Sequence, residues 1–140
     1  MSKKAIVLDA NILIRAVLGS RVQSIIIENA KSVRFFTPAV AFDDARKYLP
    51  ALLEKRGIDG AAALKVLDAL EAVVQPLEAE LYDSFQREAL ERIAVRDADD
   101  WPVLACALAI DCPVWTEDAD FFGAGIATWT TDRVEIYLVS

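Results

Sequence analysis

Histidine is absent from the 140 residues of this chain. Its absence excludes Ser-His-Asp triads, Cys-His pairs and metal sites that use imidazole ligands. The chain has two cysteines, Cys106 and Cys112, in or just after one apolar segment and without CxxC spacing. This pattern is more typical of buried thiols than of a disulfide or a zinc site. Chemistry in this protein must therefore depend on carboxylates.

Long apolar runs are also missing. The apolar stretch over residues 103–110 is far shorter than the roughly 20 residues that a membrane-spanning helix needs. The apolar run over residues 5–8 reaches a charged residue too soon to form a signal peptide. We therefore expect a soluble, cytoplasmic protein that does not enter a membrane.

Positive charge is scarce, because 15 Lys and Arg residues face 22 Asp and Glu residues and give a net charge of −7. At face value this balance argues against nucleic acid as a partner, since phosphate binding normally requires a basic surface. The objection weakens if several acids share one metal site, because a bound divalent cation reverses the local sign of charge. No Walker-type glycine loop is present, which disfavours nucleotide hydrolysis of that kind.

Apolar material is abundant, at 55% of the residues, and it is distributed in short segments. The length and this composition predict one globular domain over residues 1–140. Strands are predicted at residues 5–8, 33–37 and 113–116, with further candidates at 126–130 and 134–139. Helices are predicted at residues 10–18, 21–30, 38–53, 58–74, 78–93 and 103–110. This alternation favours an α/β fold around a mostly parallel sheet.

Four aspartates stand where a parallel sheet would place a ligand crevice. Asp9 and Asp118 directly follow predicted strands, and Asp100 opens the helix that precedes the strand of Asp118. Asp44 lies early in the helix after the second strand. Because the crevice of such sheets lies beyond the carboxyl ends of the strands, we expect these acids to converge.

Each acid also has a purely structural interpretation. Asp9 could cap a helix, and Asp99 and Asp100 could both be capping residues of a later one. Asp118 and Asp120 could be turn residues. The combination of acids at successive element ends, rather than any single residue, favours a site.

Carboxylates held close together repel one another unless a cation compensates. An all-oxygen ligand set favours Mg²⁺ or Mn²⁺ over zinc, and such ions support phosphodiester hydrolysis. An alternative is phosphotransfer with Asp9 as a covalent nucleophile. Against it, Asn11 stands where a haloacid-dehalogenase-like enzyme would place its second aspartate.

Three segments resemble a known family in order and spacing: residues 8–14 (LDANILI), 100–108 (DWPVLACAL) and 115–121 (WTEDADF). They are similar to the PIN domain, whose bacterial members include VapC-like toxins. The resemblance covers essentially the whole chain. It implies a three-layer α/β/α sandwich and an Mg²⁺- or Mn²⁺-dependent ribonuclease that cleaves single-stranded RNA. It also implies an antitoxin protein as partner if the chain is a toxin.

The resemblance also assigns residues. Asp9, Asp100 and Asp118 correspond to metal ligands, and the supporting positions are Asn11, Thr116 and Asp120. The second acid of the family is usually a glutamate followed by leucine five residues later, and Asp44 occupies that position with a side chain one methylene shorter. The alternative acids are Asp43 in place of Asp44 and Asp97 in place of Asp100.

Two questions stay open at this level. Asp44 in place of glutamate, together with the acidic net charge, is compatible with an RNA-binding or regulatory module that cleaves poorly. A homodimer could form through exposed apolar residues of the helices at 38–53 or 58–74. Basic residues near the acids in sequence could contact phosphates, namely Arg15, Arg46, Lys47 and Arg96.

Overall fold

A parallel sheet forms the centre of the computed structural model, which describes residues 3–93 and 97–139. Its strands are β1 (Lys4–Leu8), β2 (Val33–Pro38), β3 (Val74–Leu77), β4 (Val114–Trp115) and β5 (Thr128–Trp129). Their order is β3-β2-β1-β4-β5, and each neighbouring pair is parallel. The prediction of a mostly parallel α/β sheet is confirmed, and β1 lies at its centre.

Helices connect the strands. They are α1 (Ala10–Leu18), α2 (Ser20–Asn29), α3 (Ala39–Glu54), α4 (Gly60–Leu70), α5 (Ala79–Tyr82), α6 (Gln86–Ile93), α7 (Trp101–Ile110) and α8 (Val134–Val139). In the described part of the chain, none of them is by itself long and apolar enough to cross a membrane. The helices α1 and α2 meet that criterion only as a pair, and they are bent by 106° at their junction.

Alternating side chains of the sheet build two cores. Ile6 and Leu8 of β1 pack in a cluster with α1, α2, α3, α4 and α8, whereas Ala5 and Val7 pack in a second cluster with α5, α6 and α7. Successive residues of a strand point to opposite faces, so a strand buried on both sides is apolar throughout. The predicted three-layer α/β/α sandwich is confirmed.

The prediction of a helix over residues 58–74 was wrong at its C-terminal end. Helix α4 stops at Leu70, and residues 74–77 form the edge strand β3. Pro76 lies within that strand. Proline is tolerated there because an edge strand leaves one row of backbone N–H groups unpaired.

Residues 134–139 were predicted as a strand but form helix α8. The alternating β-branched and aromatic residues favoured a strand, whereas packing favours a helix, because Val134 and Leu138 are buried four residues apart. The Tyr137 hydroxyl also donates a hydrogen bond to the Ala5 carbonyl at 2.8 Å. The predicted helix at 78–93 is divided into α5 and α6 by a 3₁₀ turn at Asp83–Phe85.

Candidate active site

The four aspartates predicted to converge line one cavity of about 160 Å³. It lies at the carboxyl ends of the central strands, where helices α1, α3 and α7 begin. Asp9 and Asp118 reach it from the neighbouring strands β1 and β4, which pair at Leu8 and Trp115. Asn11 and Asp99 also line this cavity, hereafter the acid cavity.

Asp9 is the most buried of these acids, with 6% of its surface exposed. Its Oδ1 accepts a hydrogen bond from the Ile12 N–H at 3.0 Å, so Asp9 caps α1 while it lines the cavity. Its Oδ2 accepts a hydrogen bond from the Thr116 hydroxyl. Burial raises the pKa of Asp9 despite these two hydrogen bonds, and the nearby Asp118 carboxylate adds to the increase. Because both oxygens already accept hydrogen bonds, the geometry suits a fixed ligand better than a covalent nucleophile.

Thr116 joins two of the acids. Besides donating to Asp9, its hydroxyl oxygen accepts a hydrogen bond from the Asp118 N–H at 2.9 Å. The Asp118 carboxylate in turn accepts a hydrogen bond from the Asp120 N–H at 2.9 Å. The fully buried Thr116 side chain therefore fixes the turn after β4 relative to the end of β1.

Asp100 occupies the N-cap position of α7, yet its carboxylate makes no capping hydrogen bond. The capping interaction next to it comes from Asp97, whose carboxylate accepts a hydrogen bond from the Asp99 N–H at 3.1 Å. The Oδ2 atom of Asp100 is buried and has no hydrogen-bond partner among the described residues. Burial, followed by the charges of Asp97, Asp118 and Asp9, raises the pKa of Asp100 to about 7.

The structure distinguishes between the two adjacent aspartates of α3. Asp44 is exposed and lines the acid cavity, whereas Asp43 is not among the lining residues. A second cluster of acids adjoins the cavity: side-chain oxygens of Asp97, Asp100 and Asp120 lie within 4.8 Å of one another. Asp100 therefore belongs both to the cavity lining and to this cluster. Asp97, the alternative to Asp100, thus lies next to a residue of the cavity, whereas Asp43, the alternative to Asp44, does not line the cavity.

The donor set fits a hard divalent cation. The cavity offers carboxylate oxygens and the amide of Asn11, which are the ligand types that Mg²⁺ and Mn²⁺ prefer. The buried Oδ2 atom of Asp100 has no hydrogen-bond donor among the described residues, and burying an unpaired carboxylate costs free energy. A cation at this position would compensate it.

Sequence reasoning did not find the hydrogen bonds that hold the strand ends together. The Thr37 hydroxyl donates to the Leu8 carbonyl at 2.7 Å, linking β2 to β1. Near β5, the Trp115 indole N–H donates to the Thr131 hydroxyl at 3.1 Å, and the Thr131 N–H donates to Glu117 at 2.6 Å. These partners are far apart in sequence and form no motif, so no local signal indicates them.

The basic residues near the acids in sequence have different positions. Arg46 forms ion pairs with Asp68 and Glu71 of the α4 region, so its charge is already compensated. Lys47 lies over the Tyr48 ring at 5.4 Å. Arg15 borders a different cavity. Arg96 lies outside the described residues.

The sequence profile of the PIN domain family matches residues 7–139. The chain belongs to the PIN domain family. No curated protein sequence matches the chain. The family assignment therefore rests on the profile and on the geometry of the fold.

Solved structures with PIN-like folds are similar over 90% of this chain. One is VapBC2 from Rickettsia felis bound to a DNA fragment from their promoter, with a TM-score of 0.66, 13% identity and 98% of that chain covered. Another is FitAB bound to the IR36 DNA fragment, with a TM-score of 0.62, 19% identity and 94% covered. A third is FitAcB from Neisseria gonorrhoeae, with a TM-score of 0.63, 20% identity and 97% covered. At these identities the similarity shows a shared fold.

Proposed function

We propose that this PIN domain protein, folded as one domain over residues 1–140, is a metal-dependent endoribonuclease that cleaves single-stranded RNA. The observation that carries the proposal is the buried Oδ2 of Asp100, which has no hydrogen-bond partner among the described residues, in a cavity that four further aspartates line. The catalytic and metal-binding residues would be Asp9, Asp44, Asp100 and Asp118. The family membership and the all-oxygen donor set support this assignment.

Mg²⁺ or Mn²⁺ is the proposed cofactor. When bound, such an ion neutralises charge on a phosphodiester and makes water a better nucleophile. The protein's own contribution is rigid positioning: Thr116 holds the Asp9 carboxylate, and the Asp118 backbone is fixed through the same hydroxyl. The proposed supporting residues are Asn11, which lines the cavity, and Asp120, whose N–H donates a hydrogen bond to the Asp118 carboxylate.

The acidic charge of the chain is compatible with an anionic substrate at this place. Helices α1, α3 and α7 all begin at the acid cavity, and helix N-termini carry partial positive charge. With a divalent cation the carboxylates are compensated and the cavity no longer repels phosphate. The net charge of −7 therefore does not exclude RNA.

We also infer an antitoxin partner. The similar structures VapBC2, FitAB and FitAcB are two-protein assemblies by name, which supports a role for this chain as the toxin of such a pair. A protein encoded beside this chain should form a stable complex with it and suppress cleavage. We further expect the protein to be cytoplasmic and to form a homodimer. Light scattering of the purified chain measures its oligomeric state.

The second candidate function is an RNA-binding or regulatory module that cleaves weakly. Its support is the exposed Asp44, where the family usually has the longer glutamate. This candidate predicts weak affinity for the cation. Micromolar Mn²⁺ binding by calorimetry would favour the nuclease.

The decisive experiment is cleavage of a labelled single-stranded RNA with Mn²⁺, with Mg²⁺ and with EDTA. We expect wild-type cleavage with metal, none with EDTA, and a loss of about a hundredfold or more in Asp118→Asn. The structure offers a matched pair on α3: Asp44→Asn should lower activity, whereas Asp43→Asn should not. Equal activity of these two variants would remove Asp44 from the site.

Metal-dependent cleavage that survives in an Asp9→Asn/Asp118→Asn double variant would refute the proposal. Absence of cleavage by folded wild-type protein with either ion would make the binding module the leading function.

A further inference from the structure

A furrow between α1 and α3 leads away from the acid cavity. Asn11 lines both the acid cavity and the next cavity along α1, which has a volume of about 410 Å³. Ile14, Tyr48, Leu52 and Lys55 line this second cavity. Because residues three or four apart share a helix face, Asp44, Tyr48, Leu52 and Lys55 follow one another along the same side of α3. The furrow is thus continuous with the acid cavity.

The far end of the furrow carries positive charge. Lys55 lines the furrow itself, and the next residues along both helices, Arg15 after Ile14 and Arg56 after Lys55, border a separate cavity of about 450 Å³ together with Arg21. Within residues 3–93 and 97–139, no carboxylate pairs with Arg15, Lys55 or Arg56, while Arg21 lies 3.9 Å from Asp132. In a chain of net charge −7, this is a local excess of cations that bind phosphate well.

An exposed aromatic ring lies between the two charged ends. Tyr48 is 52% exposed and Leu52 is 36% exposed, although both belong to a helix that buries its other face. Nucleobases stack on such rings regardless of sequence, and a basic track beside the ring follows the backbone. At the usual rise of about 1.5 Å per residue, Asp44 and Lys55, the C-cap residue of α3, lie about 16 Å apart along the helix, which is long enough for several nucleotides.

We propose that this α1–α3 furrow binds the single-stranded RNA that flanks the scissile phosphate, an inference that rests on the proposed function. One base would stack on Tyr48, and flanking phosphates would contact Arg15, Lys55 and Arg56. Along the furrow, the acid cavity is followed by an exposed aromatic ring and then by unpaired cations. A nucleic acid strand carries the matching groups, namely a scissile phosphate, a base and flanking phosphates. An amphipathic protein helix would account for the apolar side chains of the furrow, Ala51 and Leu52 among them, but not for the unpaired cations beside them.

The test measures binding of a short fluorescein-labelled single-stranded RNA in EDTA, where cleavage cannot interfere, and then steady-state cleavage with Mn²⁺. Tyr48→Ala should weaken binding about 5- to 100-fold, and Tyr48→Phe should bind like wild type. The double variant Arg15→Ala/Arg56→Ala should make the salt dependence weaker. The negative slope of log binding constant against log salt concentration should become less steep by about 0.7 for each lost phosphate contact. In cleavage, these variants should raise KM and leave kcat nearly unchanged.

Matched controls lie on the other face of the sheet or away from the furrow. Leu81→Ala removes an exposed apolar side chain of α5, and Arg87→Ala removes an exposed cation of α6. Both should bind RNA like wild type. All substituted furrow residues are exposed, so circular dichroism melting should show folded variants, and Arg56→Glu provides a second variant if the double substitution is unstable.

The outcomes separate this inference from the proposed function. Wild-type binding without cleavage, lost in Tyr48→Ala, would retain the furrow and reject the nuclease. Cleavage with unchanged binding and KM in the furrow variants would retain the nuclease and reject the furrow. The furrow is also rejected if its variants bind RNA normally but lose a dimer or the complex with the protein encoded beside this chain.

Discussion

Single hydroxyl and carboxylate groups decide the geometry of the acid cavity. Thr116 donates to Asp9 and accepts from the Asp118 backbone, so one buried side chain links acids that are 109 positions apart (118 − 9). Valine has nearly the same shape but can neither donate nor accept a hydrogen bond. Thr116 is therefore proposed as a positioning residue and not as a ligand.

We predict that Thr116→Val lowers Mn²⁺ affinity and RNA cleavage about 10- to 100-fold, the usual effect of losing a hydrogen bond to a metal ligand. Thr116→Ser keeps the hydroxyl and should retain most of both. Calorimetry measures the affinity, and gel assays measure the cleavage. Equal losses in the serine and valine variants would show that packing of the methyl group, and not the hydrogen bond, matters here.

At the level of elements, the site is assembled from helix N-termini. Helices α1, α3 and α7 each begin at the acid cavity, and their N-cap residues Asp9, Pro38 and Asp100 line it. For α1 this places two demands on Asp9, which caps the helix and contributes a carboxylate to the cavity. The two roles can be separated, because asparagine caps helices as well as aspartate does.

We predict that Asp9→Asn abolishes metal-dependent cleavage without destabilising the protein, since the cap is kept and a buried charge is removed. Asp9→Ala should also be inactive, and its free energy of unfolding should fall by about 1 kcal/mol relative to the asparagine variant. Urea unfolding in EDTA measures this difference. An alanine variant as stable as the asparagine variant would show that the cap contributes nothing.

The elements also show what the sequence could and could not predict. Strand β1 was predicted because it is a short apolar run of the kind that is buried on both faces, β2 and β4 were predicted from short segments rich in apolar residues, and the convergence of the acids follows from the parallel topology. Residues 74–77 and 134–139 were assigned wrongly, since an edge position and packing against the core are decided by distant residues. The unpaired Asp100 oxygen also could not be predicted, because an aspartate at the start of a helix is expected to cap it, whereas the Asp100 carboxylate makes no capping hydrogen bond to α7.

For the whole molecule, the acid cavity makes stability depend on pH. Asp9 and Asp100 have raised pKa values in the fold, that of Asp100 reaching about 7, whereas unfolded aspartates titrate near pH 4. Between these values the folded protein binds more protons than the unfolded chain. The contribution of these groups to stability is therefore fully present at low pH and is lost as the pH rises towards and through 7.

We predict that metal-free wild type loses stability relative to Asp100→Asn as the pH rises from about 5 to about 8. Mn²⁺ should counteract the loss at the upper end, by about 2.7 kcal/mol when its concentration is a hundred times its Kd, because it binds the deprotonated carboxylates. Thermal melts across this pH range, with EDTA and with Mn²⁺, measure both effects. A stability difference between the two proteins that does not vary with pH would contradict the prediction.

The strand order has a consequence for the timing of activity during synthesis. The central strand β1 emerges early, but its partner β4 and Asp118 follow more than a hundred residues later. At the usual rate of translation, a nascent chain spends several seconds or more with Asp9 already made and the cavity still incomplete. If the protein cleaves RNA, the growing chain cannot cleave the message from which it is translated until β4 and Asp118 have joined the sheet.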